Sequence, residues 1–361
     1  MPTQYQADEC VSFGFYDPNK SKTPPVGPFG RGQINYGDAS DPSTHTSVNI
    51  QYYQDTISLG DATITNQTFG VVTASDGPSQ GIFGLAPNLD TGFDGDEPYS
   101  LVLNSMAEQG VIDSRVFALD LRHTEAETGA LIYGGVDRSK FIGRLEKMPV
   151  IRGQEGEYRL AVELDSMGLR LDKQYSYTLE GSDRNVMLDS GTTLTRMHYA
   201  AARPILEALG AVDDGEGYFY APCEVRESAG SVTFGFGSKE VQVPFRDFIL
   251  NIDSSGPYCA VGLVITTHQQ ILGDSVLRAG YFVFDWDNEA VHIAQAANCG
   301  DEDIVAVGMG RDALTDVKGN CDADDALFTG GPVVSDIRWL ELEFTLLLTQ
   351  VMLAHGNTIG K

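Results

Sequence analysis

The chain has 361 residues, enough for two lobes of ordinary domain size. Its 51 Asp and Glu outnumber 24 Lys and Arg, a formal net charge of −27, which makes nucleic acid and anionic membrane surfaces poor partners. Such a chain sheds self-repulsion as its carboxylates protonate, which fits an acidic working environment.

In chain order, the first ten residues, Met1 to Cys10, offer no basic region and no apolar stretch, so they do not read as a signal peptide. Residues 1–33 are loop-like, broken by Pro24-Pro25 and Gly27-Pro28. From Ile34 to Ala74 the pattern is strand-like, with alternation over Ser47–Leu59 and shorter runs at Ala62–Thr65 and Thr68–Val72. Gly81-Ile82-Phe83-Gly84-Leu85-Ala86 is a short apolar run with glycines. Residues 99–109 predict a helix stopped by Gly110, and Val116–Leu121 and Ala130–Tyr133 predict strands.

A second cycle follows. Tyr158–Leu171 and Asn185–Leu188 read as strands, and residues 198–209 as a helix closed by Gly210. Ser231–Phe236 and Glu240–Pro244 pair around Gly237-Ser238, Gln270–Leu272 is a short strand, and Tyr281–Trp286 with Ala290–Gln295 forms a hairpin. The two cycles share an order of β run, apolar-apolar-Gly and helix, which predicts a mainly β, internally duplicated, two-lobed chain. After Cys299 the sequence turns acidic and Gly-rich. Trp339–Leu353 is apolar, but Glu341 and Glu343 interrupt it and it is too short to span a bilayer. The polar residues after it also spoil a lipid-anchor signal.

The richest stretch is Val186-Met187-Leu188-Asp189-Ser190-Gly191-Thr192-Thr193. An apolar strand runs into an Asp on a Ser-Gly turn, with two hydroxyl residues placed to hydrogen-bond the carboxylate. Six histidines, at 45, 123, 198, 268, 292 and 355, have no metal-ligand spacing. No nucleophile elbow and no phosphate-binding glycine loop is present. The expectation is an enzyme without a cofactor and without a metal.

With these stretches in view, the sequence resembles the pepsin-like aspartic endopeptidases, in particular the secreted fungal ones of the candidapepsin and yapsin type. Leu188-Asp189-Ser190-Gly191-Thr192-Thr193 is similar to the second catalytic motif. Ile34-Asn35-Tyr36-Gly37-Asp38 is similar to the flap that closes over substrate. Gly81-Ile82-Phe83-Gly84 and Ile271-Leu272-Gly273-Asp274 are similar to the apolar-apolar-Gly motifs that pack beneath each catalytic loop. The similarity covers roughly residues 10–298, with the motifs in the family's order.

The resemblance implies a bilobal pepsin-like acid protease fold with an incomplete N-terminal lobe. Residues 1–150 would be a lobe remnant with the flap, 151–298 a lobe with the catalytic Asp loop, and 299–361 a poorly ordered tail. It implies that Asp189 is one of two carboxylates sharing a proton around a water. Ser190 and Gly191 would belong to the grip between catalytic loops, and Thr192, with Thr193 beside it, would hold the carboxylate. Tyr36 would close over substrate, with Gly37 and Asp38 at the flap tip; without the resemblance Tyr36 reads as a strand-end aromatic. Cys223 and Cys259 would form a disulfide. The partner would be a peptide or protein substrate, and the protein a monomer, secreted or at the cell surface.

The first catalytic Asp of the family precedes the flap, and here neither Asp8 nor Asp17 has the required neighbours. Asp90-Thr91-Gly92 has the right letters but follows the flap. The expectation is therefore a chain truncated at its front, with a cysteine partner for Cys10 lost, and inactive as it stands. The alternatives are a non-catalytic relative that binds peptides, and a dimer pairing two Asp189 loops. Five cysteines leave one unpaired, and the sequence alone leaves open whether Cys299 and Cys321 pair. The sequons Asn19-Lys20-Ser21 and Asn66-Gln67-Thr68 are candidate glycosylation sites. Arg196 falls where fungal relatives often place an aromatic, so no subsite preference is carried over.

Overall fold

The computed structural model describes residues 14–37, 45–78, 80–87, 99–124, 126, 128–152, 158–171, 174–252 and 256–323. They form two compact units, divided between Ile112 and Asp113.

The first unit is a three-stranded antiparallel sheet of β1 (Arg31–Tyr36), β2 (Thr46–Leu59) and β3 (Ala62–Asp76) in that order. Alternation on β2 points Val48 and Ile50 inward, where they meet Tyr36 from β1. Ile82, from the first apolar-glycine run, packs on this cluster with Ile34 and Tyr52. Gly60 takes φ +57° to make the tight β2–β3 turn. Asp55 on β2 is buried and ties down the chain before the sheet. It accepts hydrogen bonds from the Tyr16 hydroxyl at 2.8 Å, from the Thr23 hydroxyl, and from the Thr56 N–H at 2.7 Å. Ser21, Thr23 and Tyr16 together hold its carboxyl far below the ordinary range despite burial. The helix Val102–Glu108 buries Leu103 and Met106 and stops at Gly110.

The second unit contains the remaining strands. β4 (Val116–Asp120) pairs with β5 (Ala130–Tyr133) and with β21 (Gly280–Asp285), which pairs with β22 (Ala290–Gln295), which pairs with β7 (Glu146–Pro149). β6 (Gly135–Asp137) pairs with β23 (Ile304–Ala306). β10 (Ser166–Arg170), β11 (Gln174–Thr178), β16 (Ser231–Phe236) and β17 (Lys239–Pro244) make a sheet in the order β11-β10-β16-β17.

The sheet that carries the Asp loop is the largest. Its path is β14 (Val212–Asp213), β15 (Tyr218–Pro222), β19 (Tyr258–Ile265), β13 (Thr195–Met197), β20 (Gln270–Leu272), β12 (Asn185–Leu188), β9 (Tyr158–Glu163) and β8 (Ile151–Arg152). β18 (Ile249–Leu250) pairs with β19 off this path. β12 runs parallel to β20, and β13 runs parallel to β19, so segments distant in sequence are neighbours here.

Several features of the structure go beyond the sequence reading. The compact units divide at 112/113, since β4, β5 and β7 find their partners in β21 and β22, near the far end of the chain. The expected disorder from residue 299 does not hold for 299–323. β23 pairs with β6, Val307 and Leu314 are buried in the core with Phe141 and Tyr281, and Cys299 bonds to Cys321 across 22 positions. Residues 324–361, with the apolar run, lie outside the described residues. Among the strands absent from the sequence reading is β19, whose apolar run Gly262 interrupts. Glycine is needed there: a Cβ would lie 2.6 Å from the Phe248 carbonyl oxygen and 2.8 Å from the Ser275 Cβ.

Candidate active site

Val186 and Leu188, 0% and 2% exposed, anchor β12 in the core and carry Asp189 to its end. The Asp189 N–H extends the parallel ladder by donating to the Leu272 carbonyl at 3.1 Å. The chain then turns. The Gly191 N–H donates to Asp189 Oδ1 at 2.8 Å, and the Thr192 hydroxyl donates to Oδ2 at 2.7 Å. Each carboxylate oxygen is thus claimed by a donor within three residues, which fixes its rotamer. Asp189 is 4% exposed. Burial raises its pKa above the ordinary carboxylate value, against the opposing pull of the Thr192 hydroxyl, the Gly191 N–H and the Arg196 charge.

The turn rests on the segment after β20. The Asp274 N–H donates to the Thr192 carbonyl at 2.8 Å, and the Ser275 N–H to the Thr193 carbonyl at 3.0 Å. Beneath them the Thr195 N–H donates to Ser275 Oγ at 3.0 Å, the two hydroxyls lie 2.9 Å apart, and Ser275 Oγ donates to the Gly262 carbonyl at 2.6 Å. Gly273 permits this stacking: a Cβ there would sit 2.3 Å from the Thr192 carbonyl oxygen. Ile271-Leu272-Gly273 therefore packs directly against the Asp189 loop.

Of the expected site residues, Asp189, Gly191 and Thr192 are joined by these bonds. Ser190 is buried beside them, while Thr193 is exposed and contributes through its main chain. Tyr36 and Gly37 belong to the other unit. Tyr36 ends β1 opposite Thr46, 8% exposed against Val48 and Ile50, and Gly37 follows with φ +103°. Asp38, Cys10 and the Asp90-Thr91-Gly92 segment lie outside the described residues. Cys223 and Cys259 form a disulfide.

One acid was missed. Asp274 is 1% exposed, and neither of its oxygens meets a hydrogen-bond donor of the protein. Burial pushes its pKa up to about 8; the Arg278 charge opposes this and the Asp189 charge adds to it. Its signal in the sequence was an Asp directly after an apolar-apolar-Gly, but its nearness to Asp189 depends on the non-local β12–β20 pairing. Among the described residues no cluster of His, Cys, Asp and Glu is arranged to hold a metal, and no helix is long and apolar enough to cross a membrane.

Comparison with known proteins identifies the family. The family model of eukaryotic aspartyl proteases matches residues 2–296. Secreted aspartic protease 1 of Candida albicans is 33% identical over 309 residues, covering 83% of this chain and 73% of that protein. Candidapepsin of Candida tropicalis is 32% identical over 277 residues, 76% of this chain and 64% of its own length. The crystal structure of the aspartic proteinase from Irpex lacteus superposes with a TM-score of 0.58 at 22% identity, over 73% of this chain and 81% of that one, which establishes the pepsin-like fold. The chain thus belongs to the eukaryotic aspartyl protease family, as a relative of the fungal secreted aspartic endopeptidases.

Proposed function

We propose that Asp189 supplies one carboxylate of an acid endopeptidase site, and that the 361-residue chain hydrolyses peptides slowly or not at all on its own. The observation that carries the reading is the buried Asp189 carboxylate, gripped by Gly191 and Thr192. In this chemistry two carboxylates share one proton. One takes a proton from the attacking water while the other gives its proton to the carbonyl oxygen, and the tetrahedral intermediate then collapses with expulsion of the amine. A lone carboxylate accepts the water's proton but has none to give to the carbonyl. No second Asp-Thr/Ser-Gly precedes the Tyr36 segment in this sequence.

Ser190 and Thr193 support the loop, and Tyr36, Gly37 and Asp38 cover substrate in this reading. The protein works as a monomer, and secretion is the setting its relatives' names give them. The test is to express the 361-residue chain and assay pepstatin-sensitive cleavage at acid pH. Background cleavage, unchanged by Asp189→Asn, is expected. Robust cleavage abolished by that substitution would refute the inactivity and show that a second acid within these residues completes the site. A second reading, peptide binding without turnover, is favoured by the partly exposed apolar row of Met187 and Ile271 beside the loop.

A further inference from the structure

The register of the large sheet places a cation on the face that Asp189 serves. Ile271 of β20 is opposite Met187 of β12 on one side and Arg196 of β13 on the other, and Arg196 is opposite Val264 of β19. Residues directly opposite in a ladder project from the same face. Met187, Ile271, Arg196 and Val264 therefore form one row across four strands, and all four are partly exposed. Their neighbours Leu188, Leu272, Thr195 and Leu263 point to the other face and are 0–2% exposed. Asp189, one step beyond Leu188, returns to the face of Met187.

Arg196 is two strands and two residues from Asp189, about 10 Å across and about 7 Å along the sheet between α-carbons. A long side chain spans much of that gap. The Arg196 charge does reach the Asp189 carboxyl, whose pKa it draws down against burial. A peptide lying over Asp189 would rest its neighbouring side chain on Met187 and Ile271, with the Arg196 guanidinium at the far end.

We propose that Arg196 is a specificity-determining residue: the row Met187, Ile271, Arg196 accepts a side chain with an aliphatic stem and an anionic tip, so that glutamate is selected next to the bond held at Asp189. The proposal rests on the reading of Asp189 as a peptidase carboxylate and deepens it by naming a substrate class. The stem length favours Glu over Asp, since the methylenes cover Met187 and Ile271 before the carboxylate reaches the guanidinium. That contact has the planar, two-pronged geometry that arginine offers and lysine lacks. The chain as a whole, at −27, repels acidic peptides at long range. A preference for Glu must therefore come from a short-range contact, and it survives salt that screens charges beyond roughly 8 Å.

The test uses fluorescent octapeptides with a reduced, uncleavable central bond, identical except for Glu, Gln or Lys beside that bond. Their binding to the 361-residue chain is measured at about pH 5.5 and about 0.15 M salt, where the peptide glutamate is ionised. The expected order is Glu over Gln over Lys, with Glu about fivefold to tenfold tighter than Gln. Arg196→Gln brings the Glu to Gln ratio to about one, and Arg196→Glu reverses the order in favour of Lys. Equal binding of the Glu and Gln peptides by the unsubstituted chain overturns the proposal without any variant. A Glu preference that persists in Arg196→Gln overturns it as well, by placing the cation elsewhere. No binding by any of the peptides overturns the underlying reading of this face as a peptide site, and the role of Arg196 with it.

Discussion

Replacing Asp274 by Asn removes one titrating group from beneath the Asp189 loop and leaves the shape almost unchanged. The carboxyl is 1% exposed, and its pKa is raised from 3.8 to about 8. In the folded state it therefore holds its proton over a range where the unfolded chain has lost it. The stability this provides is complete below about pH 4 and is lost as pH rises through 8, at about 1.4 kcal/mol per pH unit in between. Over some four units the total is about 5 kcal/mol, a large share of the 5–15 kcal/mol that typically holds a domain together. Burial is the main cause and the Asp189 charge a further one; the Arg278 charge opposes both. The assay is urea unfolding of the native chain and of Asp274→Asn from pH 3.5 to 8.5. The general loss of stability from the chain's acidity affects both proteins, so the difference between the curves isolates this carboxyl. It is expected to be flat below pH 4 and then to grow in favour of Asn up to about pH 8. Parallel curves across the range would refute the claim that Asp274 is buried as a neutral acid.

The same loop responds to smaller changes. Gly273→Ala drives a Cβ to 2.3 Å from the Thr192 carbonyl oxygen, a backbone atom with little room to move, so a loss of about 3 kcal/mol or more is expected in chemical unfolding. Serine in place of both Cys299 and Cys321 opens a closure of 22 positions and is expected to cost about 3 kcal/mol on the chain-entropy account, with the segment 299–323 becoming sensitive to protease. A variant whose limited-proteolysis pattern is unchanged would show that the β23–β6 pairing holds that segment unaided. Asn66 is exposed and left-handed (φ +53°) at the irregularity between β2 and β3, and Asn19 is exposed in a short helical turn. Expression in a secretory host is expected to yield a glycan at each, read as two mass shifts removed by an N-glycosidase; unmodified peptides would refute this.

What the sequence made legible is what local chemistry decides. The Asp189 turn could be foreseen because its donors, the Gly191 N–H and the Thr192 hydroxyl, lie within three residues. Helix ends at Gly110 and Gly210 were likewise marked by glycines in left-handed conformations, φ +70° and +63°. What stayed hidden depends on distant partners. β19 hides behind Gly262, whose missing side chain makes sense only once Phe248 and Ser275 are known to crowd it. The folded stretch 299–323 has few apolar residues, and its order comes from β6 and from the pairing of Cys299 with Cys321, which the cysteine count left open. Arg196 is a single charge in an ordinary stretch until the ladder sets it across from Ile271 and Met187.

Asp274 is the nearest claimant to be the second acid of a dyad, and its chemistry argues against that role. A pair of carboxylates that shares one proton splits its pKa values, one falling below the ordinary range because the neighbour's proton stabilises its charge, the other rising. At Asp189 and Asp274 burial acts in the same direction. Both are raised, each chiefly by burial, and the only influence between them is the Asp189 charge acting on Asp274. No hydrogen bond from Asp274 contributes to the shift of Asp189, whose oxygens are engaged by Gly191 and Thr192. Burial holds Asp274 neutral to about pH 8. Below that pH, Asp274 adds no charge to the loop beside Asp189. On the proposed reading of Asp189, Asp274 is a buried acid packed beneath the loop, with no hydrogen bond to Asp189, and is not its partner in proton transfer.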